Sequence, residues 1–107
     1  MLFRSDPKNP NPHRLPKEYD HTLFIYEWSR NWIVTVKLDA NDNIARDDAG
    51  QPLMAKFCPN MTFKRPMDLE LGVDGCLYLI EFGTAWGNNK DTQIVRIEFT
   101  GTQTAAK

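Results

Sequence analysis

Apolar and polar residues alternate with a period of two along several short segments of the chain. The segment WIVTVKLD (32–39) has apolar residues at every second position, which is typical of a half-buried strand. The apolar and aromatic run HTLFIYEW (21–28) predicts the preceding strand, and Ser29–Asn31 predicts the turn between the two. The side chains that we expect to face inward from the second of these strands are Trp32, Val34, Val36 and Leu38.

The same half of the chain contains two weaker strand signals. Residues 44–46 predict a short strand, and LMAKF (53–57) predicts a strand at the edge of a sheet. Between them, DANDN (39–43) and DDAGQP (47–52) are dense in turn-forming residues. We therefore predict a meander over about residues 23–57.

A second meander is predicted over about residues 67–99. Met67, Leu69 and Leu71 alternate with acidic residues, and GVDG (72–75) is a hairpin turn in which glycine supplies a positive φ. CLYLIEF (76–82) is almost continuously apolar, which predicts a central strand covered on both faces. After the polar loop 83–91, QIVRIEF (93–99) again alternates.

No segment has helical periodicity of useful length, so the predicted fold class is all-β with antiparallel meanders. Each meander is about the size of a propeller blade, so we expect about two blades of a β-propeller; half a sandwich and a small barrel are the alternatives. The predicted organisation is a proline-rich extended segment (1–20), a partial β-propeller (21–99) and a flexible tail (100–107).

Composition and charge exclude some function classes. The formal net charge of the 107 residues is −1, which argues against nucleic acid as a main partner. No apolar run reaches the roughly 18–20 residues that span a bilayer, and the first 20 residues lack the apolar region of a signal peptide. The two cysteines, Cys58 and Cys76, fit either two separate thiols or one disulfide.

Two longer segments carry a resemblance to a known family. LPKEYDHTLFIYEWSRNWIVTVKLD (15–39) and FKRPMDLELGVDGCLYLIEFGTAWGNN (63–89), followed by DTQIVRIEF (91–99), resemble the glucose/sorbosone dehydrogenase family, the soluble quinoprotein sugar dehydrogenases. The recurring block of that family is a Pro-x-Asp strand, an Asp-Gly hairpin, a Leu-Tyr strand and a glycine before a polar loop. In this chain the block is Pro66 to Asp68, Asp74-Gly75, Leu77-Tyr78 and Gly83.

The resemblance implies the C-terminal part of a six-bladed propeller that binds pyrroloquinoline quinone (PQQ) and calcium. The parent protein is expected to oxidise a sugar or polyol in the periplasm or outside the cell and to pass electrons to an acceptor. The catalytic histidine and the calcium ligands of the family lie upstream, so we predict no catalytic or metal-binding residue in this chain and no activity of the chain alone. Open strand edges predict self-association.

The resemblance also implies cofactor-binding residues. Arg65 aligns with one of the arginines that pair with the carboxylates of the quinone, and the neighbouring arginine of the family falls near Met67 here. A guanidinium suits this role because its planar fork of donors matches a carboxylate. Arg30 lies where the family has a cofactor-contacting lysine, with Asn31 as the rival for the same position.

The three tryptophans are candidates for a stacking surface under a sugar or a quinone. Trp86, in the loop 83–91, is the predicted substrate-binding residue, whereas the inward position of Trp32 favours packing in the core. We expect Asp68 to tie down a neighbouring loop by a hydrogen bond. The alternative function is a non-catalytic, propeller-derived module that binds a carbohydrate or another protein.

Overall fold

The computed structural model of the chain describes residues 1–85 and 87–101, and these residues form two antiparallel sheets. The first sheet has four strands in the order β1-β2-β3-β4, and the second has three in the order β5-β6-β7. A single turn of 3-10 helix spans Lys17–Tyr19. The strands are β1 (Leu2–Phe3), β2 (Thr22–Glu27), β3 (Trp32–Lys37), β4 (Met54–Lys56), β5 (Pro66–Leu71), β6 (Leu77–Glu81) and β7 (Gln93–Ile97).

The all-β class and the two antiparallel meanders are confirmed. β2, β3 and β4 are consecutive neighbours in the first sheet, and β5, β6 and β7 are consecutive neighbours in the second. Two details differ from the prediction. Residues 44–46 do not form a strand but only isolated bridges, Leu38 to Ile44 and Arg46 to Pro52. The structure also contains β1, which was not predicted. Neither sheet closes on itself within the described residues.

Turn residues set the positions of the hairpins. Asn31 ends the β2–β3 turn in the left-handed region (φ 58°) and its N–H donates to the carbonyl oxygen of Glu27 at 3.1 Å. Gly75 ends the β5–β6 turn, also in the left-handed region (φ 84°). The N–H of the next residue, Cys76, donates to Asp74 Oδ1 at 2.9 Å. Glycine and asparagine adopt this conformation at little cost, which is why both hairpins turn where the sequence predicts.

The core lies between the two sheets, on one face of each. Nine of the described residues are buried in it, and both sheets contribute. They are Phe3, Leu15, Phe24, Ile33, Phe57, Phe63, Leu69, Leu77 and Leu79. Phe24 and Phe57 meet edge to face with ring centroids 5.2 Å apart, a favourable arrangement for aromatic pairs.

The predicted inward face of β3 is wrong. Ile33 is fully buried and belongs to the core, whereas Trp32 and Val34 point to the opposite face and are half-buried. Val36, also on that opposite face, is nonetheless buried. β3 has apolar residues on both faces, so its alternation does not distinguish the face that meets the second sheet.

The prediction that β6 is covered on both faces is also wrong. Leu77 and Leu79 are fully buried against the first sheet, but Ile80 is 37% exposed and Tyr78 is half-buried on the other face. On the outer face of the first sheet, Leu2 and Ile25 are exposed as well. Within the described residues, the outer face of each sheet is therefore only partly covered.

The segment before β2 is fixed onto both sheets. Leu15 and Pro16 are buried, and the N–H of Leu15 donates to the carbonyl oxygen of Gly75 at 2.8 Å. The side-chain amides of Asn9 and Asn11 both donate to the carbonyl oxygen of Asp74, at 3.0 and 2.9 Å. The long proline-rich segment thus braces the β5–β6 hairpin.

Both cysteines are free thiols, as in the first of the two alternatives. Burial raises the pKa of Cys58 and of Cys76, which keeps both thiols protonated at neutral pH. In the described part of the chain, no helix is long and apolar enough to cross a membrane.

Candidate functional site

Arg65 lies immediately before β5 and has an unusual backbone conformation. Its φ of 56° is in the left-handed region, which costs a residue with a Cβ roughly 1–2 kcal/mol. The side chain is half-buried. A large residue persists in such a conformation only when neighbouring groups hold it there.

Two hydrogen bonds hold the preceding residue, Lys64. Its N–H donates to Glu81 Oε2 at 2.6 Å, and its carbonyl oxygen accepts from the N–H of Gly83 at 3.0 Å. Glu81 is only 3% exposed, and its other oxygen accepts from Gln93 Nε2 at 2.8 Å. This buried carboxylate thus ties β6 and β7 to the residue before Arg65.

Two more hydrogen bonds hold the backbone of Arg65 itself. Its N–H donates to Asn31 Oδ1 at 2.8 Å, and its carbonyl oxygen accepts from the N–H of Phe82 at 3.0 Å. Asn31 belongs to the turn between β2 and β3, and Phe82 follows β6. Both sheets therefore determine the left-handed conformation of Arg65.

The guanidinium of Arg65 lies over an aromatic platform. Its Cζ is 5.7 Å from the centroid of the Trp28 ring, within the range of a cation–π interaction. The Trp28 ring packs against Phe82 at 4.6 Å between centroids. One nitrogen of the guanidinium donates to the carbonyl oxygen of Ala85 at 3.2 Å. We call Arg65, Asn31, Trp28 and Phe82 the Arg65 site.

The loop beside the Arg65 site is folded on itself. The N–H of Ala85 donates to Asn89 Oδ1 at 2.6 Å, and the hydroxyl of Thr84 donates to Asp91 Oδ2 at 2.8 Å. The hydrogen bond from Thr84 lowers the pKa of Asp91. Asn89 Nδ2 is buried and has no hydrogen-bond partner among the described residues.

The arrangement provides a cation over an aromatic surface at one end of the two sheets. A guanidinium in a fixed position over a ring suits a planar ligand that carries a carboxylate. Because Arg65 and Asn89 both contact the backbone of Ala85, the loop couples their positions.

The other predicted site residues have different outcomes. Arg30 is exposed and lines a cleft of about 90 Å³ with Asn31, Trp32 and Phe63. It is Asn31, the rival for its position, that contacts Arg65. A cofactor role for Arg30 stays a prediction. Trp86, the predicted substrate-binding residue, lies outside the described residues.

The histidines and Asp68 have contacts elsewhere. His21 Nε2 is 2.6 Å from Asp42 Oδ1, and His13 Nδ1 is 2.9 Å from the carbonyl oxygen of Phe99. Asp68 Oδ1 accepts from the hydroxyl of Tyr26 at 3.4 Å, so the hydrogen bond of Asp68 joins the two sheets rather than a loop. Within residues 1–85 and 87–101, no three His, Cys, Asp or Glu side chains are grouped so as to hold a metal ion.

Sequence reasoning missed the role of Glu81. A sequence signal existed, since Glu81 is the one charged residue in the apolar run CLYLIEF, and a charge in a buried strand requires partners. Nothing in the sequence indicated that Lys64 would be that partner, because the two residues are 17 positions apart.

Comparison of the chain with protein-family models, with curated proteins and with solved structures finds no match.

The conformation of Arg65 leads to a stability prediction. We expect Arg65→Gly to be more stable than Arg65→Ala by about 1 kcal/mol, because glycine adopts a positive φ without strain whereas alanine retains it. Urea unfolding of the two variants measures the difference. Both variants lack the same guanidinium, so its contacts cancel in the comparison; equal stabilities would contradict the left-handed conformation.

Proposed function

We propose that this chain forms the closing blades of a propeller similar to the quinoprotein sugar and polyol dehydrogenases, and that Arg65 binds a carboxylate of the quinone. The observation that supports this proposal is the Arg65 site: a guanidinium held over Trp28 by a backbone that two sheets fix. In this proposal the parent protein acts in the periplasm or outside the cell, and this chain alone is inactive.

The residues of the site fit one part of the cofactor. PQQ is planar and carries carboxylates, so it matches a cation over an aromatic ring. When bound, the quinone accepts the electrons removed from the substrate. The described residues offer no group of carboxylate, thiolate or imidazole ligands for calcium. The proposed role of this chain is therefore limited to orienting the quinone.

The exposed sheet faces are consistent with a place in a larger propeller. In a propeller, each blade packs between two neighbours, so both faces of a blade are covered. Here Leu2, Ile25 and Ile80 remain exposed on the outer faces. Neighbouring blades would cover these side chains.

Titration of the purified chain with PQQ and calcium tests the proposal. We expect saturable binding, measured by absorbance, that Arg65→Ala weakens by about tenfold or more, since a hydrogen bond to a charged group contributes roughly 1.5–3 kcal/mol. Arg65→Lys is expected to recover only part of the affinity, because an ammonium lacks the planar fork. Arg30→Ala tests the second predicted contact in the same assay.

Arg46→Ala is the matched control. Arg46 is exposed and donates to the carbonyl oxygen of Gly50 at 2.9 Å, in a turn of the first meander. Its removal changes the net charge as Arg65→Ala does but leaves the Arg65 site intact. If both variants lost affinity equally, the loss would come from the change in net charge and not from the Arg65 site. If the unmodified chain did not bind PQQ, the proposed contact with the quinone would be refuted.

A further inference from the structure

β4 is an open edge of the first sheet with hydrogen-bonding groups directed away from it. The N–H of Lys37 donates to the carbonyl oxygen of Leu53 at 3.0 Å, and the N–H of Phe57 donates to that of Ile33 at 2.8 Å. In an antiparallel pair, hydrogen-bonded and non-hydrogen-bonded positions alternate. Ala55 therefore directs its backbone groups to β3, whereas those of Lys56 point to the open edge.

Three backbone groups are presented at this edge. They are the carbonyl oxygen of Met54 and both the N–H and the carbonyl oxygen of Lys56. The N–H of Met54 also points outward but is not free, because it donates to the carbonyl oxygen of Pro52 at 3.0 Å. Among the described residues, β4 is the last strand in its sheet, and no strand uses these three groups in a ladder. An added antiparallel strand would satisfy all three groups.

A cleft lies beside the edge on the face of Ala55. Its volume is about 300 Å³, and its lining is mainly apolar, with Tyr19, Leu53 and Ala55 beside the charged residues Glu18 and Lys37. Thr35 lies directly opposite Ala55 in the sheet and lines the same cleft. Tyr19 is held in place by Phe57, with ring centroids 5.6 Å apart. A large apolar side chain on an added strand can enter this cleft.

The two side chains that flank Ala55 lie on the other face. Successive residues of a strand point to opposite faces, so Met54 and Lys56 share the face opposite the cleft. Both are exposed, Met54 at 55%. Cross-strand pairs favour an acidic residue next to Lys56 and an apolar residue next to Met54.

We propose that β4 binds an extended peptide segment of a partner protein as a fifth, antiparallel strand. The segment carries an acidic residue, then a large apolar residue, then a second apolar residue. The acidic residue pairs with Lys56, the middle residue enters the cleft beside Ala55, and the last residue lies against Met54. Lys56 lines the same cleft as Asn31 of the Arg65 site, but the proposed strand pairing does not depend on a quinone.

A fluorescein-labelled seven-residue peptide is the probe, with glutamate, leucine and valine at its centre and serine and threonine around them. We expect saturable binding by fluorescence anisotropy. N-methylation of the glutamate removes the donor to the carbonyl oxygen of Lys56 and is expected to weaken binding at least tenfold. A peptide with lysine in place of glutamate is expected to bind about tenfold more weakly, because two like charges then lie side by side.

Two variants of the chain test the same contact from the other side. Lys56→Glu is expected to reverse the preference, so that the lysine peptide binds about tenfold better than the glutamate peptide. Lys8→Glu is the matched control: it makes the same charge change at an exposed residue outside the first sheet and is expected to leave the preference unchanged. Lys56→Pro removes the outward N–H without loss of a ladder hydrogen bond and is expected to weaken binding at least tenfold.

Three results would overturn the proposal. No saturable binding of the glutamate peptide would exclude the site. If N-methylation of the glutamate left binding unchanged, the peptide would bind elsewhere on the chain. This result does not depend on whether Lys56→Pro folds. A dimer of the chain without peptide that Lys56→Pro converts to a monomer would show that a second copy occupies the edge.

Discussion

Phe24→Ala is expected to destabilise the chain by about 3–5 kcal/mol. Phe24 is 1% exposed, lies in the centre of the core between the sheets and contacts the rings of Tyr19 and Phe57. Its truncation removes apolar burial and leaves a cavity that the flanking sheets cannot fill. Since domains are stable by only about 5–15 kcal/mol, this loss is a large fraction of the total. Urea unfolding followed by circular dichroism measures it.

Ile25→Ala is the control for this prediction. Ile25 is the next residue of β2, but it points to the outer face and is 40% exposed. We expect a loss of about 1 kcal/mol, well below that at Phe24, because a large part of the Ile25 side chain stays in water on folding. A loss at Ile25 as large as that at Phe24 would mean that the outer face is covered, and would contradict the position of the core.

Glu81→Ala is expected to cost about 2–3 kcal/mol, which is the second-largest effect. The substitution leaves the N–H of Lys64 and the amide of Gln93 without their acceptor at a buried position. It also releases the backbone that precedes Arg65. The expected result is a lower free energy of unfolding together with a weaker response in the quinone titration.

Glu81→Gln separates the hydrogen bonds from the charge. Glutamine has nearly the same shape and retains one carbonyl acceptor, which can still accept from the N–H of Lys64. We expect it to recover at least half of the stability that alanine loses. If the two variants were equally destabilised, the negative charge of Glu81 would be the important property instead of its acceptor oxygens.

The molecule thus has a core that supports the fold and a polar clamp that supports the Arg65 site. Phe24 lies in the core, whereas Glu81 and Asn31 act through the backbone of Lys64 and Arg65. A core variant is therefore expected to change stability with little effect on the ligand affinity of the folded fraction. Clamp variants are expected to change both quantities.

The sequence predicted the features that depend on neighbouring residues. The β2–β3 turn, the Asp-Gly hairpin and the edge position of β4 follow from turn chemistry and from a period of two, both of which act over a few residues. It did not predict β1, because two residues are too few for a pattern; β1 exists because it pairs with β2.

The faces of the strands were harder to predict. In β3, Ile33 and Val34 are equally apolar neighbours, so the pattern permits either face to be buried. Only the second sheet decides between them, by packing Leu69, Leu77 and Leu79 against the side of Ile33. Similarly, the apolar run of β6 predicted two covered faces, but the described residues supply a partner for one.

The sequence by itself therefore determined the all-β class and the two meanders, because strand propensity and turn chemistry are local; Arg65 became a candidate only through the family resemblance. Only the tertiary structure decided which faces form the core and how Arg65 is held. Its left-handed backbone is unfavourable in isolation and depends on Asn31, which is 34 residues away. Such a conformation persists because distant hydrogen bonds offset its strain, and no local pattern can encode them.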